Sequence, residues 1–156
     1  MMKLEKAALI AQIVSGIAVV ITLVFLVIGI RDNTAITRVA VYEDLLDNIN
    51  QFNLILVNDR ELAAIWTSFR TGKADELNED DFSRLVLLAR VLCRTYEAAY
   101  FSREYKILGS MEWERFGTTI CNTYNSMTPT LWNNVSTVLS QEFVSYVENG
   151  CSDKAN

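Results

Sequence analysis

Ala8–Ile30 reads ALIAQIVSGIAVVITLVFLVIGI, 23 residues without a single charge. As a helix at about 1.5 Å per residue the stretch is about 35 Å long, just over the roughly 30 Å hydrocarbon thickness of a bilayer. Ile, Val and Leu occupy every side of that helix, with no polar stripe, and a helix apolar all round belongs in lipid or in a deep core. A chain of 156 residues is too short to wrap a core around it. A cleaved signal peptide is the rival reading, but its apolar region should be about 7–15 residues and end at a small-x-small site. Here the exit reads GIRDNTA, which lacks such a site. The stretch therefore predicts an uncleaved, single-pass membrane anchor over residues 7–30.

Beyond the anchor the composition is that of a soluble domain. Of 14 Lys+Arg and 19 Asp+Glu, only Lys3, Lys6 and Glu5 precede Arg31, which leaves 12 basic against 18 acidic residues, a charge of −6. That sign opposes a nucleic-acid partner, whose phosphates require a basic face. Apolar residues recur at alternating steps of three and four, the spacing of helices that pack along one face. Tyr42, Leu45, Ile49, Phe52 and Leu56 form one such seam, and Phe82, Leu85, Ala89, Leu92, Tyr96 and Ala99 another. Between them, Leu62, Ile65, Trp66 and Phe69 mark a short helix started by Asn58 or Asp59 and ended by Gly72. Asn78 with Asp81 resembles a capping box, Gly109 closes the long helix, and Ser110 is placed to cap the next. Thr128-Pro129 and Ser140 open two more helices, the last of them stopped by Gly150. The expected fold is all-α: one N-terminal transmembrane helix, then a compact bundle of about five or six helices over residues 31–150, and a disordered tail over 151–156.

The chemistry begins with absences. The chain has no histidine, no CxxC and no glycine-rich phosphate loop. That removes Ser-His-Asp and Cys-His catalysis, the usual zinc sites, His-ligated haem and carboxylate di-iron sites. No metal and no cofactor is expected, and an enzyme is the less favoured reading. Asp75, Glu76, Glu79, Asp80 and Asp81 lack the alternation of a calcium loop and fit the acidic first turn of a helix. In LLARVLCRTYEAAYF, Glu97 lies beside an apolar seam with Tyr100, while Arg94 and Arg90 precede it by three and seven residues on one helix side. The group is either a ligand site with a carboxylate in aromatic surroundings, as in a membrane-proximal ligand sensor or lipid-processing enzyme with an interhelical pocket near Glu97, or a structural ion pair between helices. Trp66, Trp113 and Trp132 either line a pocket or fill the core. Asn134-Val135-Ser136 matches a glycosylation triplet but falls inside a predicted helix.

Topology and partners are read from the ends of the anchor. Ala7, Ala11 and Ser15 fall four apart, with Gly16 beside them and Gln12 nearby, a small-residue face on which two membrane helices approach closely. The expected partners are the lipid bilayer and either a second copy or another subunit of a membrane complex. Lys3 and Lys6 on one side nearly balance Arg31 and Arg38 on the other. Cys93, Cys121 and Cys151 are odd in number and lack motif spacing, so they do not read as a disulfide framework. Cys93 and Cys121 fall on apolar faces as buried free thiols, which points the domain toward the cytoplasm.

The run GIAVVITLVFLVIGIRDNTAITRVAVYEDLLDNINQFN, then ELAAIW, then RTYEAAYFSREYKILGSMEWERF, resembles a widespread group of bacterial proteins with no assigned activity. These share one N-terminal membrane helix, an Arg-x-Asn-Thr exit, and a helical domain whose Arg/Glu/Tyr-rich central helix is followed by Gly and Trp. The likeness runs from Gly16 to Trp132. It implies a bacterial inner-membrane location and an all-helical fold, and it supplies no catalytic residue. At the N-terminus this chain departs from the group's pattern, two lysines replacing a less basic opening.

Overall fold

The structure, a computed structural model, describes residues 2–151, with side chains over 12–31 and 33–151. Among these residues it is all-α, with six helices and no strand: α1 (Met2–Asn58), α2 (Arg60–Arg70), α3 (Glu79–Glu104), α4 (Ser110–Asn125), α5 (Pro129–Ser136) and α6 (Gln141–Gly150). A single 3-10 turn, Ala74–Glu76, lies between α2 and α3. The chain divides into two units, Met1–Val39 and Ala40–Asn156.

In the first unit, α1 is the only element. Its large apolar side chains from Ile13 to Ile30 are 49–70% exposed. This one helix is long and apolar enough to span a membrane. The hydroxyl of Thr22 donates to the Ala18 carbonyl at 2.9 Å, so the polar atom of a residue inside the apolar stretch is satisfied within its own helix.

In the second unit, the first side chains of α1 to pack on the core are Val41 and Tyr42, followed by Leu45, Ile49, Phe52 and Leu56, the expected seam. Helix α3 is central. It buries Leu85, Val86, Leu88, Ala89, Leu92, Cys93, Tyr96 and Ala99, more than one stripe, because α2, α4 and α5 all pack on it. The helix starts follow local chemistry. Asp59 accepts from the Glu61 and Leu62 amides at 2.9 and 3.1 Å, and Asn78 accepts from Asp81 N–H at 2.9 Å. Thr128 and Ser140 cap α5 and α6.

Two helix ends share one geometry with different residues. After α2, Gly72 takes φ 73° while its N–H donates to Phe69 and that of Lys73 to Ser68. After α3, Lys106 takes φ 58° with the same pattern, its N–H to Arg103 and that of Ile107 to Ser102. Both are Schellman closures, which favour glycine at the left-handed position. Lysine there explains why the sequence does not announce this end. It also shifts the next start: Gly109, expected to close α3, is instead the N-cap of α4, and Ser110 is its first residue.

The cysteines correct the expectation drawn from their number. Cys121 on α4 and Cys151 after α6 form a disulfide with Cα atoms 5.0 Å apart, and Cys93 alone is a free, buried thiol. The pair lies 30 positions apart in sequence, and the packing of α6 on α4 brings them together. Cys151 is fully buried and ends the described chain; residues 152–156 of the expected tail lie outside it.

Candidate functional site

Helix α3 presents Arg90 and Glu97 two turns apart, and both reach the α5–α6 connection. Arg90 donates through Nη2 and Nε to the Asn134 carbonyl at 2.9 and 3.3 Å, and through Nη2 to the Thr137 hydroxyl at 3.3 Å. That carbonyl belongs to the last turn of α5, where a helix has no internal donors left and carries partial negative charge. Seven residues on, the Glu97 carboxylate accepts from the Ser140 N–H, at the N-cap of α6, where the partial charge is positive. One cation and one anion of α3 thus each hold the helix end of matching polarity.

The other members of the sequence-derived group go elsewhere. Arg94 is exposed, and the ion pairs of the bundle include Arg84–Glu61, Arg84–Asp80 and Arg103–Glu104. Tyr100 is half-buried in an aromatic cluster, 4.9 Å from Tyr146, 5.6 Å from Phe143 and 6.4 Å from Trp113 between ring centres. Burial pushes the Tyr100 and Tyr146 phenols up from their ordinary value. Arg103 lies over Trp113 at 5.0 Å and closes that cluster on its outer side. Of the small-residue face, Gln12, Ser15 and Gly16 are exposed, and the Ala7 and Ala11 side chains lie outside the described ones.

The acidic run has structural neighbours. Asp75 accepts from the Thr128 hydroxyl at 2.8 Å, tying the 3-10 turn to the start of α5. Asp80 and Glu61 share Arg84 at 3.2 Å each along a cleft between α2 and α3. The guanidinium is held above its ordinary value, first by its hydrogen bond to Glu61 and then by the charge of Asp80.

A second concavity was not legible in the sequence. A groove of about 430 Å³ opens between α1, α2, α3 and α4 in the second unit, within the usual range of about 300–1,000 Å³ for small-molecule sites. Its floor is Phe52, Trp66, Phe69, Leu92 and Tyr96; Asn53, Arg70, Thr119 and Asn122 stand on its rim. The Tyr96 hydroxyl lies 3.4 Å from that of Thr123, and burial pushes the phenol up. Arg70 is the only charged side chain among the described residues lining this groove. Trp66 thus serves both wall and core, packing on Phe52 at 5.0 Å and Phe69 at 4.7 Å. Trp132 packs edge-on to Tyr124, and its indole N–H donates to Glu148 at 2.9 Å. No residue spacing marks the groove, because its walls come from four helices spread over more than seventy positions.

These features define a class: an all-helical bundle carried behind one helix long and apolar enough to cross a membrane. Comparison with protein-family models, with curated proteins and with solved structures finds no match to this chain.

Proposed function

We propose that this protein is a single-pass, membrane-anchored module that acts by binding a second copy of itself or another subunit of a membrane complex, without catalysis. The observation carrying this reading is apolar surface that the chain leaves uncovered. In the first unit it is the whole circumference of Ile13–Ile30, far more than the few hundred Å² a soluble monomer normally exposes. In the second unit Leu46, Leu54 and Val57 of α1 are 38%, 57% and 80% exposed, outside its core seam. Leu87 and Val91, one turn apart on α3, add another exposed pair. A bacterial inner-membrane location is part of the same proposal; what supports a membrane location is the one helix long and apolar enough to cross a bilayer. The test is the mass of the detergent-solubilised protein: it is expected to exceed one chain or to include a fixed partner. A clean monomer without a partner overturns the reading.

The alternative reading, a membrane-proximal ligand sensor or lipid-processing enzyme, is expected from the sequence at an interhelical pocket near Glu97. Glu97 instead holds the Ser140 N–H and does not line the groove, so this second reading moves to the groove beside Arg70. An apolar floor with one cation and no carboxylate suits a fatty acid anion, whose single charge a guanidinium can meet in bidentate fashion. Titration with decanoate is expected to give saturable binding that Arg70→Gln weakens at least tenfold, with decanol unaffected. Equal binding by the variant removes this reading.

A further inference from the structure

The three cysteines have sharply different settings. Cys121 and Cys151 are 4% and 0% exposed and bonded to each other, with a Cα separation inside the range a disulfide requires. The bond closes a loop containing α5 and α6 and ties down the short C-terminal helix at its end. Cys93 is buried on α3, and burial, reinforced by the nearby Glu97 charge, pushes its thiol up to about 12. At neutral pH it holds almost no thiolate, the form that attacks a disulfide, so it does not compete with the pair. As plain small apolar residues Cys121 and Cys151 would have no reason to meet sulfur to sulfur.

Disulfides form and persist in oxidising compartments and are rare where glutathione and thioredoxin keep thiols reduced. We infer that Cys121 and Cys151 are the substrate thiols of a thiol–disulfide oxidoreductase outside the cytoplasm, and that the helical bundle faces that oxidising side while Lys3 and Lys6 stay inside. The sidedness rests on the membrane reading above; the oxidation does not. Chemically, one cysteine thiolate attacks the donor's disulfide, forming a mixed disulfide and releasing one donor sulfur as a thiol. The second cysteine thiolate then attacks the mixed disulfide, closing the Cys121–Cys151 bond and releasing the other donor sulfur. The two protons lost by the cysteines end on the donor, which leaves as a dithiol, so two thiols are oxidised and one disulfide is reduced. An outward-facing bundle reverses the cytoplasmic direction drawn from the sequence, which treated Cys121 as a free thiol. The flanking charges, Lys3 and Lys6 against Arg31 and Arg38, nearly balance and so select neither orientation by themselves; the disulfide is what chooses the side.

The test counts thiols on the full chain in its native membranes. Acid-quenched, denatured protein is alkylated with a polyethylene-glycol maleimide, without and with prior reduction. One mass step is expected without reductant, none in Cys93→Ser, and three in the parent chain after reduction. Three steps without reductant overturn the inference. Protease added to sealed, right-side-out vesicles is expected to digest the bundle; full protection overturns the sidedness. Recovery of an oxidised chain from the aqueous fraction, trimmed before Arg31, instead overturns the anchor and leaves the oxidising compartment standing.

Discussion

Glu97 illustrates how one carboxylate can be placed by sequence and explained only by structure. Its position on the inner side of α3 follows from helical spacing, and its neighbours Arg94 and Arg90 suggest an ion pair. The partner is instead a backbone N–H forty-three residues away, because the α5–α6 turn returns to α3. Removing the charge while keeping an acceptor, Glu97→Gln, is expected to cost about 0.5–1 kcal/mol, the share of helix-end electrostatics. Glu97→Ala, which orphans the amide, is expected to cost about 1.5–3 kcal/mol. Urea unfolding of the solubilised protein checks both; unchanged midpoints would mean that Ser140 finds another acceptor. Lys106 gives the opposite sign. A left-handed L-residue is disfavoured by about 1–2 kcal/mol, so Lys106→Gly, giving α3 the closure that Gly72 gives α2, is expected to raise stability by up to about 1 kcal/mol after glycine's own entropy loss. A lower midpoint would show that the lysine side chain contributes something the backbone does not.

At the scale of elements, the legible parts are those encoded within one turn. The caps at Asp59, Asn78, Thr128 and Ser140 were readable because a side-chain acceptor and its amide lie two or three residues apart. The seams of α1 and α3 were readable because period and burial coincide. What needed tertiary placement was not: the groove above Phe52 and Trp66, the helix-end contacts of Arg90, and the bond between Cys121 and Cys151. Helix α6 shows the consequence. At ten residues it is too short to be stable alone, and it is held by Phe143, Val144 and Val147 in the core and by the disulfide at its end. With a sequence separation of 30 between the cysteines, the chain-entropy account assigns the crosslink roughly 3.6 kcal/mol. Reduction is accordingly expected to lower the unfolding free energy by about 3–4 kcal/mol, read from denaturant curves with and without a trialkylphosphine. A drop below about 1 kcal/mol would mean that α6 docks through its apolar face alone.

For the molecule as a whole, composition by itself divides the chain in two: an opening dominated by the uncharged stretch Ala8–Ile30, and an acidic amphipathic remainder after it. Burial follows the same division, in that Ile13–Ile30 are uncovered whereas the inner side of Leu85–Ala99 is nearly sealed. The all-α architecture was legible because no stretch alternates with strand period, and the residue types missing from the chain narrowed its chemistry without naming a partner. Within the second unit, α3 alone is gripped by three other helices and the 3-10 turn. Such an element opens only when everything around it opens, whereas a terminal helix can detach alone. Deuterium uptake followed by mass spectrometry is therefore expected to reach Leu85–Ala99 last, at the rate of global unfolding, and α6 far sooner once its crosslink is cut. Uptake in the middle of α3 as fast as in α6 would show that the axle of this bundle lies elsewhere.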